Sequence, residues 1–257
     1  MLSALHFPPI GEIVEWKAIA LKGSPFEINK VVLLTWAAAI ITFVLFWIAG
    51  RRAAAGNLVP TGVQNVVEMG IDFIRNEIIL QTIGPHGMGW TPFLASMFFF
   101  LLFCNLFEVV PIIEFPVTAR MAVPAFLAML VLVIFIVVGL KSQGLTYFRS
   151  VMVPPGVPTA LKPLVAGIEF LSTFFVRPFS LAVRLFANML AGHLLIVTFA
   201  VLTAAMFTKS ILAVLLPLPL AMLVLVWGFE VLIAVLQAFI FTILTAVYIG
   251  DSMSSEH

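Results

Sequence analysis

The sequence predicts an all-α membrane protein with about five membrane helices, an amphipathic surface helix, and a long tilted hairpin made by the last two spans. Three observations predict this fold class. Apolar residues make up 63% of the 257 residues and charged residues only 10%. Several apolar stretches reach the roughly 20 residues that cross a bilayer. One further stretch alternates apolar and polar residues at helical spacing. We therefore expect a single membrane domain over residues 1–257.

Composition also excludes several function classes. The net charge of +1 provides no basic surface, which argues against a nucleic-acid partner. Cys104 is the only cysteine, so the chain offers neither a disulfide framework nor a zinc cluster. No glycine-rich phosphate loop is present, so we expect no ATP chemistry within this chain. The sequence thus predicts no metal and no cofactor.

The first part of the chain is predicted to hold three spans. Residues 1–29 are mixed in composition and are expected to form an exposed N-terminal segment with little regular structure. Residues 30–163 follow with spans, a surface helix and loops. The spans are predicted at residues 31–50, 91–107 and 121–140. Residues 141–163, which contain the sequence VPPGVP, are predicted to be a solvent loop.

Residues 57–83 are predicted to form the surface helix. Apolar residues recur there at helical spacing with polar residues between them, which is typical of a helix lying on a membrane surface or on a neighbour. The apolar positions are Val63, Val66, Val67, Gly70, Ile71, Ile74 and Ile78, and the polar ones are Gln64, Glu68, Asp72, Arg75 and Asn76.

Residues 164–250 are predicted to form the long hairpin, followed by a polar tail over residues 251–257. Two apolar stretches meet near residues 208–210, and each is about 40 residues long. A helix of that length measures roughly 60 Å, about twice the hydrocarbon thickness. Either each stretch is one helix that is strongly tilted or bent, or each stretch is interrupted by an additional reverse turn. Residues 210–250 contain no turn signal in the middle, whereas Pro217 and Pro219 near the start could bend a helix. We therefore favour tilted or bent helices.

Basic residues predict the topology. If the spans alternate, one side receives an excess of basic residues over the other, which places the N-terminus outside and the C-terminus in the cytoplasm. The residues on the basic side are Arg51, Arg52, Arg75, Lys141, Arg149 and Lys162.

Arg184 is the principal candidate for a functional residue. It stands at the start of an uncharged run over residues 185–208. Its guanidinium is always protonated, and at the centre of a membrane helix it costs roughly 2.5–3.5 kcal/mol on insertion scales. A charge placed there predicts an ion pathway.

Helical phase groups further polar residues around Arg184. At 100° per residue, Ser180, Arg184 and Asn188 share one stripe with Arg177, whereas His193 lies on the opposite face. Glu230, Gln237 and Tyr248 share a line on the second stretch. A reversal near Lys209 would set Arg184 opposite about residue 234, between Glu230 and Gln237. These are groups that pass protons.

Simpler interpretations remain open at this point. Arg177 fits an interfacial anchor, His193 a packed core histidine, and Gln237 an interhelical hydrogen bond. The chain could also be a secondary transporter with an intramembrane ion pair, although no repeated halves appear. A structural or assembly protein of the membrane is a further alternative, but it would not need Arg184.

Three segments resemble subunit a of bacterial F-type ATP synthases. They are RPFSLAVRLFANMLAG at residues 177–192, LQAFIFTILTAVY at residues 236–248, and NLFEVVP at residues 105–111 with PVTA at residues 116–119. The resemblance follows the order of the spans over roughly residues 30–250. The first two segments together are highly specific.

The resemblance implies a proton-translocating stator subunit in the cell membrane of a bacterium. Such a subunit is part of a hetero-oligomeric ATP synthase with a ring of c subunits and b-type peripheral stalk subunits, in contact with membrane lipid. It is not an enzyme by itself. Two aqueous half-channels would reach the ring, with Arg184 between them. The implied proton-translocating residues are Arg184, Asn188, His193, Glu230 and Gln237, with Glu108, Glu169 and Tyr248 as weaker channel candidates.

Two positions depart from the familiar pattern of that family. The position of His193 is often acidic and that of Glu230 often histidine, so this chain has the reverse arrangement of one acid and one imidazole. Arg120 stands where an acid or amide is usual, which leaves Glu108 and Glu114 as the best candidates for the outer access route.

Overall fold

The computed structural model describes residues 28–55, 61–110, 113, 115–153, 158, 161–207 and 211–253, with the side chains of residues 211 and 212 excepted. Within these residues, five helices are long and apolar enough to cross a membrane. The predicted all-α membrane fold is therefore confirmed. Most of the predicted N-terminal segment (residues 1–27), and Glu114, lie outside the described residues.

Among the described residues, eight α-helices of at least seven residues build this fold. They are α1 (Lys30–Ala54), α2 (Val63–Phe73), α3 (Thr91–Leu106), α4 (Ala122–Gln143), α5 (Thr146–Met152), α6 (Lys162–Leu171), α7 (Arg177–Met206) and α8 (Pro217–Met253). A π-helix (Ile74–Ile79) and a short turn (Leu80–Thr82) extend α2, and a 3₁₀ turn (Pro85–Trp90) leads into α3. Another 3₁₀ turn, Ile211–Leu215, precedes α8.

A second π-helix, Ser172–Val176, joins α6 to α7. The three pieces form one helical span of 45 residues, Lys162–Met206. The second arm of the hairpin is also unbroken from Pro217 to Met253. The structure thus has no extra turn inside either arm. Pro217 occupies the first position of α8, where a proline needs no hydrogen-bond donor.

Three predicted boundaries are wrong. The supposed solvent loop 141–163 contains the helix α5, whose Tyr147 is buried. Gly144 permits this turn because its φ of 62° lets it end α4 while its N–H donates to the carbonyl of Leu140. The last helix extends into the predicted polar tail as far as Met253. The first span also continues through Arg51 and Arg52.

The chain divides into two compact units. The first unit comprises the described residues of Met1–Ile41, Phe100–Arg120 and Leu185–Ala238. The second unit comprises those of Thr42–Phe99, Met121–Arg184 and Phe239–His257. Each unit has its own buried core and its own cavity.

The core of the first unit combines aliphatic side chains with small residues. Leu101, Cys104, Leu185 and Met189 are fully buried. Ala234 and Ala238 are buried on α8, and such small residues allow membrane helices to approach closely. This close packing brings polar side chains of different segments within contact distance.

The core of the second unit is rich in aromatic rings. Phe99 makes edge contacts with Phe46 and Phe98, each at a centroid distance of 5.5 Å, and Phe73 lies 5.7 Å from Phe239. Gly70 on α2 is required here because any side chain would overlap the Phe99 ring. The surface helix is thereby anchored, with Gln64, Val67, Ile74 and Ile78 on its buried side and Val63 and Val66 exposed.

Candidate functional site

Three titratable side chains of the first unit form a buried cluster, which we call the carboxyl–imidazole cluster. Glu108 lies in the turn after α3, His193 on α7 and Glu230 on α8. Their residues are 3%, 7% and 2% exposed. Burial of three such groups is costly unless they are neutral, paired or hydrated. The cluster is therefore a candidate functional site.

Glu108 and His193 are close neighbours. The Nδ1 atom of His193 lies 3.8 Å from Oε1 of Glu108. This separation is slightly too long for a hydrogen bond, so a small movement is needed before a proton can pass between the two groups. The rings of Phe115 and His193 are in T-shaped contact, with their centroids 5.9 Å apart.

Neither carboxyl group has all its oxygens satisfied. Oε1 of Glu108 and Oε2 of Glu230 are buried and have no hydrogen-bond partner among the described residues. Burial raises the pKa of Glu108 to about 9, and the negative charge of Glu230 adds to the rise. Glu108 is therefore protonated at neutral pH and can act as a proton donor.

Glu230 depends on a glycine for its position. A Cβ atom at Gly192 on α7 would overlap the Glu230 carboxyl group. Gly192 therefore leaves room for this carboxyl between α7 and α8. Gly192 directly precedes His193, so the acid Glu230 and the imidazole His193 lie at the same level of α7 and α8.

The cluster opens on a cavity of about 310 Å³, which we call the first-unit cavity. Since a water molecule takes up about 30 Å³ in the liquid, this space has room for several. Only Glu108 and His193 among its lining residues are titratable. The remaining lining residues are Ile196, Val197, Ala200, Leu223, Val224 and Trp227.

Asn188 and Gln237 form a direct contact between α7 and α8. Nδ2 of Asn188 donates to Oε1 of Gln237 at 2.9 Å. This contact corrects the predicted register, which paired Arg184 with residue 234 and hence Asn188 with residue 230. The midpoint between the two bonded residues lies within the 3₁₀ segment Ile211–Leu215 rather than at Lys209. Pairing is consequently shifted by one to two helical turns.

Arg184 lies on an exposed stripe of α7. Arg184, Ala187, Asn188 and Ala191 are all exposed and lie within two turns on one side of the helix, whereas His193 is buried. The predicted separation of Arg184 and His193 onto different faces is therefore confirmed. Small side chains beside an arginine leave its guanidinium accessible to a partner helix.

A second cavity lies within the second unit and measures about 300 Å³. We call it the second-unit cavity. Glu169 lines it, while Tyr248, also on the predicted list, packs against Phe135 in its wall at 6.0 Å. Its lining is mostly polar: Gln143, Tyr147, Ser150, Glu169, Thr173, Arg177, Asp251 and Ser252, with Phe135 and Val151.

Arg177 and Asp251 are an ion pair in the wall of this cavity. Nη1 of Arg177 lies 3.6 Å from Oδ2 of Asp251, with the side chains 33% and 55% exposed. The Arg177 guanidinium also lies 5.3 Å from the centre of the Tyr248 ring. Arg177 was predicted to be an interfacial anchor, but it also bonds α7 to the end of α8.

A hydroxyl pair lies beside that ion pair. Oη of Tyr147 is 3.3 Å from Oγ of Ser252, and burial raises the pKa of Tyr147. Tyr147 therefore stays neutral at physiological pH and acts only through its hydroxyl. Thr173 also has a buried hydroxyl, without a partner among the described residues, at the π-helix Ser172–Val176. Such segments are frequent at functional sites.

Comparison with known proteins decides the family. A family model described as ATP synthase A chain matches residues 32–250. The chain belongs to the ATP synthase A chain family. "ATP synthase subunit a" of Frankia alni is 41% identical over 250 residues, which cover 94% of this chain and 83% of that protein. The same subunit of Agrobacterium fabrum is 42% identical over 223 residues, covering 83% of this chain and 88% of that protein. That of Rhodococcus erythropolis is 37% identical over 257 residues, covering 97% and 88%.

Sequence reasoning missed several residues of this member of the ATP synthase A chain family. Asp251 follows Tyr248 by three residues and thus continues the predicted Glu230–Gln237–Tyr248 line, so helical phase could have found it. Tyr147 gave no such signal because it stood in a segment of mixed composition. Trp227 resembled an ordinary membrane aromatic. Across the described residues, no group of three or more His, Cys, Asp or Glu side chains could hold a metal ion.

Proposed function

We propose that the chain is the proton-translocating stator subunit of a bacterial F-type ATP synthase, which couples proton flow to rotation of a ring of c subunits. The observation that carries this proposal is the carboxyl–imidazole cluster, because it concentrates buried proton-exchanging groups at a cavity in helices long enough to cross a membrane. Family membership supports the same assignment.

The first-unit cavity is the first half-channel in this proposal. Protons enter from the side of the loop that follows α3 and pass to Glu108, His193 and Glu230. The mainly apolar lining suits a narrow path in which titratable groups, rather than bulk water, carry the proton. Asn188 and Gln237 hold the two long helices together beside it.

The second-unit cavity is the second half-channel. Glu169, Tyr147, Ser252 and Asp251 provide carboxyl and hydroxyl groups that exchange protons with solvent. Because α4 separates the loop after α3 from the loop after α4, alternation of spans assigns these two loops to opposite sides of the membrane. By the basic-residue rule the loop after α3 faces outside, as does the N-terminus, and the C-terminus is cytoplasmic.

Arg184 separates the two half-channels. Its permanent positive charge favours the ionised form of a ring carboxyl that faces it and repels a proton moving directly from one half-channel to the other. The exposed stripe with Ala187 and Ala191 supports contact with a ring helix there. Peripheral stalk subunits of b type would hold the chain in place while the ring turns.

Replacement of Arg184 tests the proposal. In inverted membrane vesicles containing the whole ATP synthase, Arg184→Ala should abolish ATP-driven proton pumping although the complex assembles. Arg149→Ala is the matched control, since Arg149 is exposed on α5 and lines neither cavity. Normal coupled pumping by Arg184→Ala would refute the proposal, and solute uptake by liposomes holding the purified chain alone would favour a secondary transporter.

A further inference from the structure

The turn that carries Glu108 is attached to α8 at both of its ends. Nδ2 of Asn105 donates to the carbonyl of Ala234 at 3.3 Å. The indole Nε1–H of Trp227 donates to the carbonyl of Val109 at 3.0 Å. Between them, the Glu108 N–H donates to the Asn105 carbonyl within the turn. Two long-range bonds thus fix the residues on either side of Glu108.

The attachment points lie on the face of α8 that holds Glu230. Trp227, Glu230 and Ala234 are spaced three and four residues apart, so they fall on one stripe over two helical turns. Glu230 stands between the two attachment points. The bonds therefore fix the Glu108 turn relative to the Glu230 carboxyl, and not merely to the helix in general.

Thr118 orients the amide of Asn105. Its hydroxyl donates to Oδ1 of Asn105 at 2.8 Å, and both residues are fully buried. Because Oδ1 accepts this bond, the amino group of the same amide must point at Ala234. The hydrogen bonds from Thr118 to Asn105 and from Asn105 to Ala234 therefore connect the loop after α3, the end of α3 and α8 through buried groups.

Trp227 contributes more than the bond. Its ring lines the first-unit cavity together with Glu108 and His193. The indole N–H and the ring therefore have separable roles, one in holding the turn and the other in shaping the cavity wall. A phenylalanine would keep most of the wall and lose the bond.

We propose that Trp227 and the Asn105–Thr118 pair are positioning residues of the proton pathway, which hold Glu108 beside His193 and Glu230. This inference rests on the proposed function, since it assigns a purpose to the placement of Glu108. Proton transfer between groups held 3.8 Å apart depends steeply on small displacements, so loosening the turn slows conduction without removing any titratable group.

The test compares Trp227→Phe with Trp36→Phe in the whole ATP synthase. Trp36 is an exposed tryptophan of α1 and serves as the matched control. Trp227→Phe should lower ATP-driven pumping about three- to tenfold, as expected for loss of one hydrogen bond. It should also shift the pH profile of pumping by about half a unit or more. Trp36→Phe should change neither quantity.

A second pair of variants tests the same attachment at a different position, in case Trp227→Phe impairs folding. Thr118→Val removes the donor to Asn105 with little change of shape and should act in the same direction as Trp227→Phe. Thr118→Ser keeps the hydroxyl and should restore both pumping and the pH profile. The titratable and charged groups around Glu108, namely His193, Glu230 and Lys30 near Ile113, are unchanged in every variant.

The infrared band of the protonated Glu108 carboxyl, identified by its loss in Glu108→Gln, separates the two proposals. This band reports the surroundings of Glu108 in the resting complex, whether or not the chain conducts protons. A band shift in Trp227→Phe and Thr118→Val, together with altered pumping, supports the inference. An unshifted band with an unchanged pH profile overturns it, as does an equal effect of Trp36→Phe. Normal pumping by Arg184→Ala would instead overturn the proposed function.

Discussion

The two cavities are similar in volume but opposite in chemistry. The first-unit cavity is lined by six residues without titratable groups and by Glu108 and His193, which are almost completely buried. The second-unit cavity is lined mainly by polar side chains, and its ion pair of Arg177 and Asp251 is partly exposed. The titratable side chains of the first are buried, whereas the charged side chains of the ion pair in the second are partly exposed.

This difference predicts where substitutions matter. The protonation of a buried carboxyl that lacks hydrogen-bond partners responds strongly to small changes in nearby charges and dipoles, because the protein interior screens electrostatic interactions only weakly. A hydrated ion pair contributes little by itself, since water and salt replace it readily. Control of proton transfer should therefore lie in the first unit, while the second unit should behave as a wide, tolerant passage.

Glu230→Gln should have the largest effect of the substitutions that compare the cavities. The amide keeps the size of the side chain but cannot exchange a proton, so ATP-driven pumping should fall about a hundredfold. Quenching of a pH-sensitive dye in inverted vesicles measures this loss. Glu77→Gln, at an exposed site of the surface helix, is the control. Equal pumping by both variants would contradict a conducting role for Glu230.

Gly192→Ala should have the next largest effect. The added methyl group would displace the Glu230 carboxyl, which lies at the far end of a flexible side chain, so the chain should still fold and assemble. We expect pumping to fall about tenfold. Gly228→Ala is a matched control on α8, because a Cβ atom there meets nothing within 4 Å. If both variants pump alike, the Glu230 carboxyl does not need its observed position.

Titration of Glu108 sharpens the comparison further. Burial and the Glu230 charge raise its pKa from an ordinary 4.5 to about 9. A raised pKa means that the folded chain binds the proton more tightly than the unfolded chain. The contribution of this group to stability is therefore complete below pH 4.5 and is lost as the pH rises to about 9.

The expected observation is a protonated-carboxyl infrared band that persists at neutral pH and disappears as the pH passes about 9. The band should be absent from Glu108→Gln at every pH, and the melting temperature of Glu108→Gln should depend less on pH over this interval. If Glu108 is already ionised at neutral pH, burial does not keep its carboxyl group protonated, and the expected contrast between the two cavities is wrong.

Asp251→Asn should have the smallest effect. The ion pair with Arg177 is partly exposed, so its loss should change pumping by no more than about twofold, and the difference should vanish at high salt. Pumping rates over a series of salt concentrations check this. Asp72→Asn, which removes a further exposed ion pair described in the second unit, is the matched control. A large, salt-independent loss in Asp251→Asn alone would place control in the second-unit cavity as well.

Much of the candidate site could be predicted from the sequence. Helical phase placed Arg184 and His193 on different faces of one helix, because 3.6 residues per turn is a property of the backbone and not of the neighbours. Glu230 and Gln237 were likewise assigned to one line, and both are buried. Their distances from α7 could not be predicted, because they depend on where the connection turns.

The amino-acid sequence by itself determined the membrane spans, the stripe of Arg184 and Asn188, and the family, since each depends on local composition, helical periodicity or motif identity. Only the tertiary structure decided the register of the hairpin, the attachment of the Glu108 turn through Trp227 and Asn105, and the burial of Tyr147 beside Ser252. These features join residues that are 49 to 129 positions apart in the chain. Such contacts arise from the packing of whole helices, and no short segment of sequence contains the geometry that selects them.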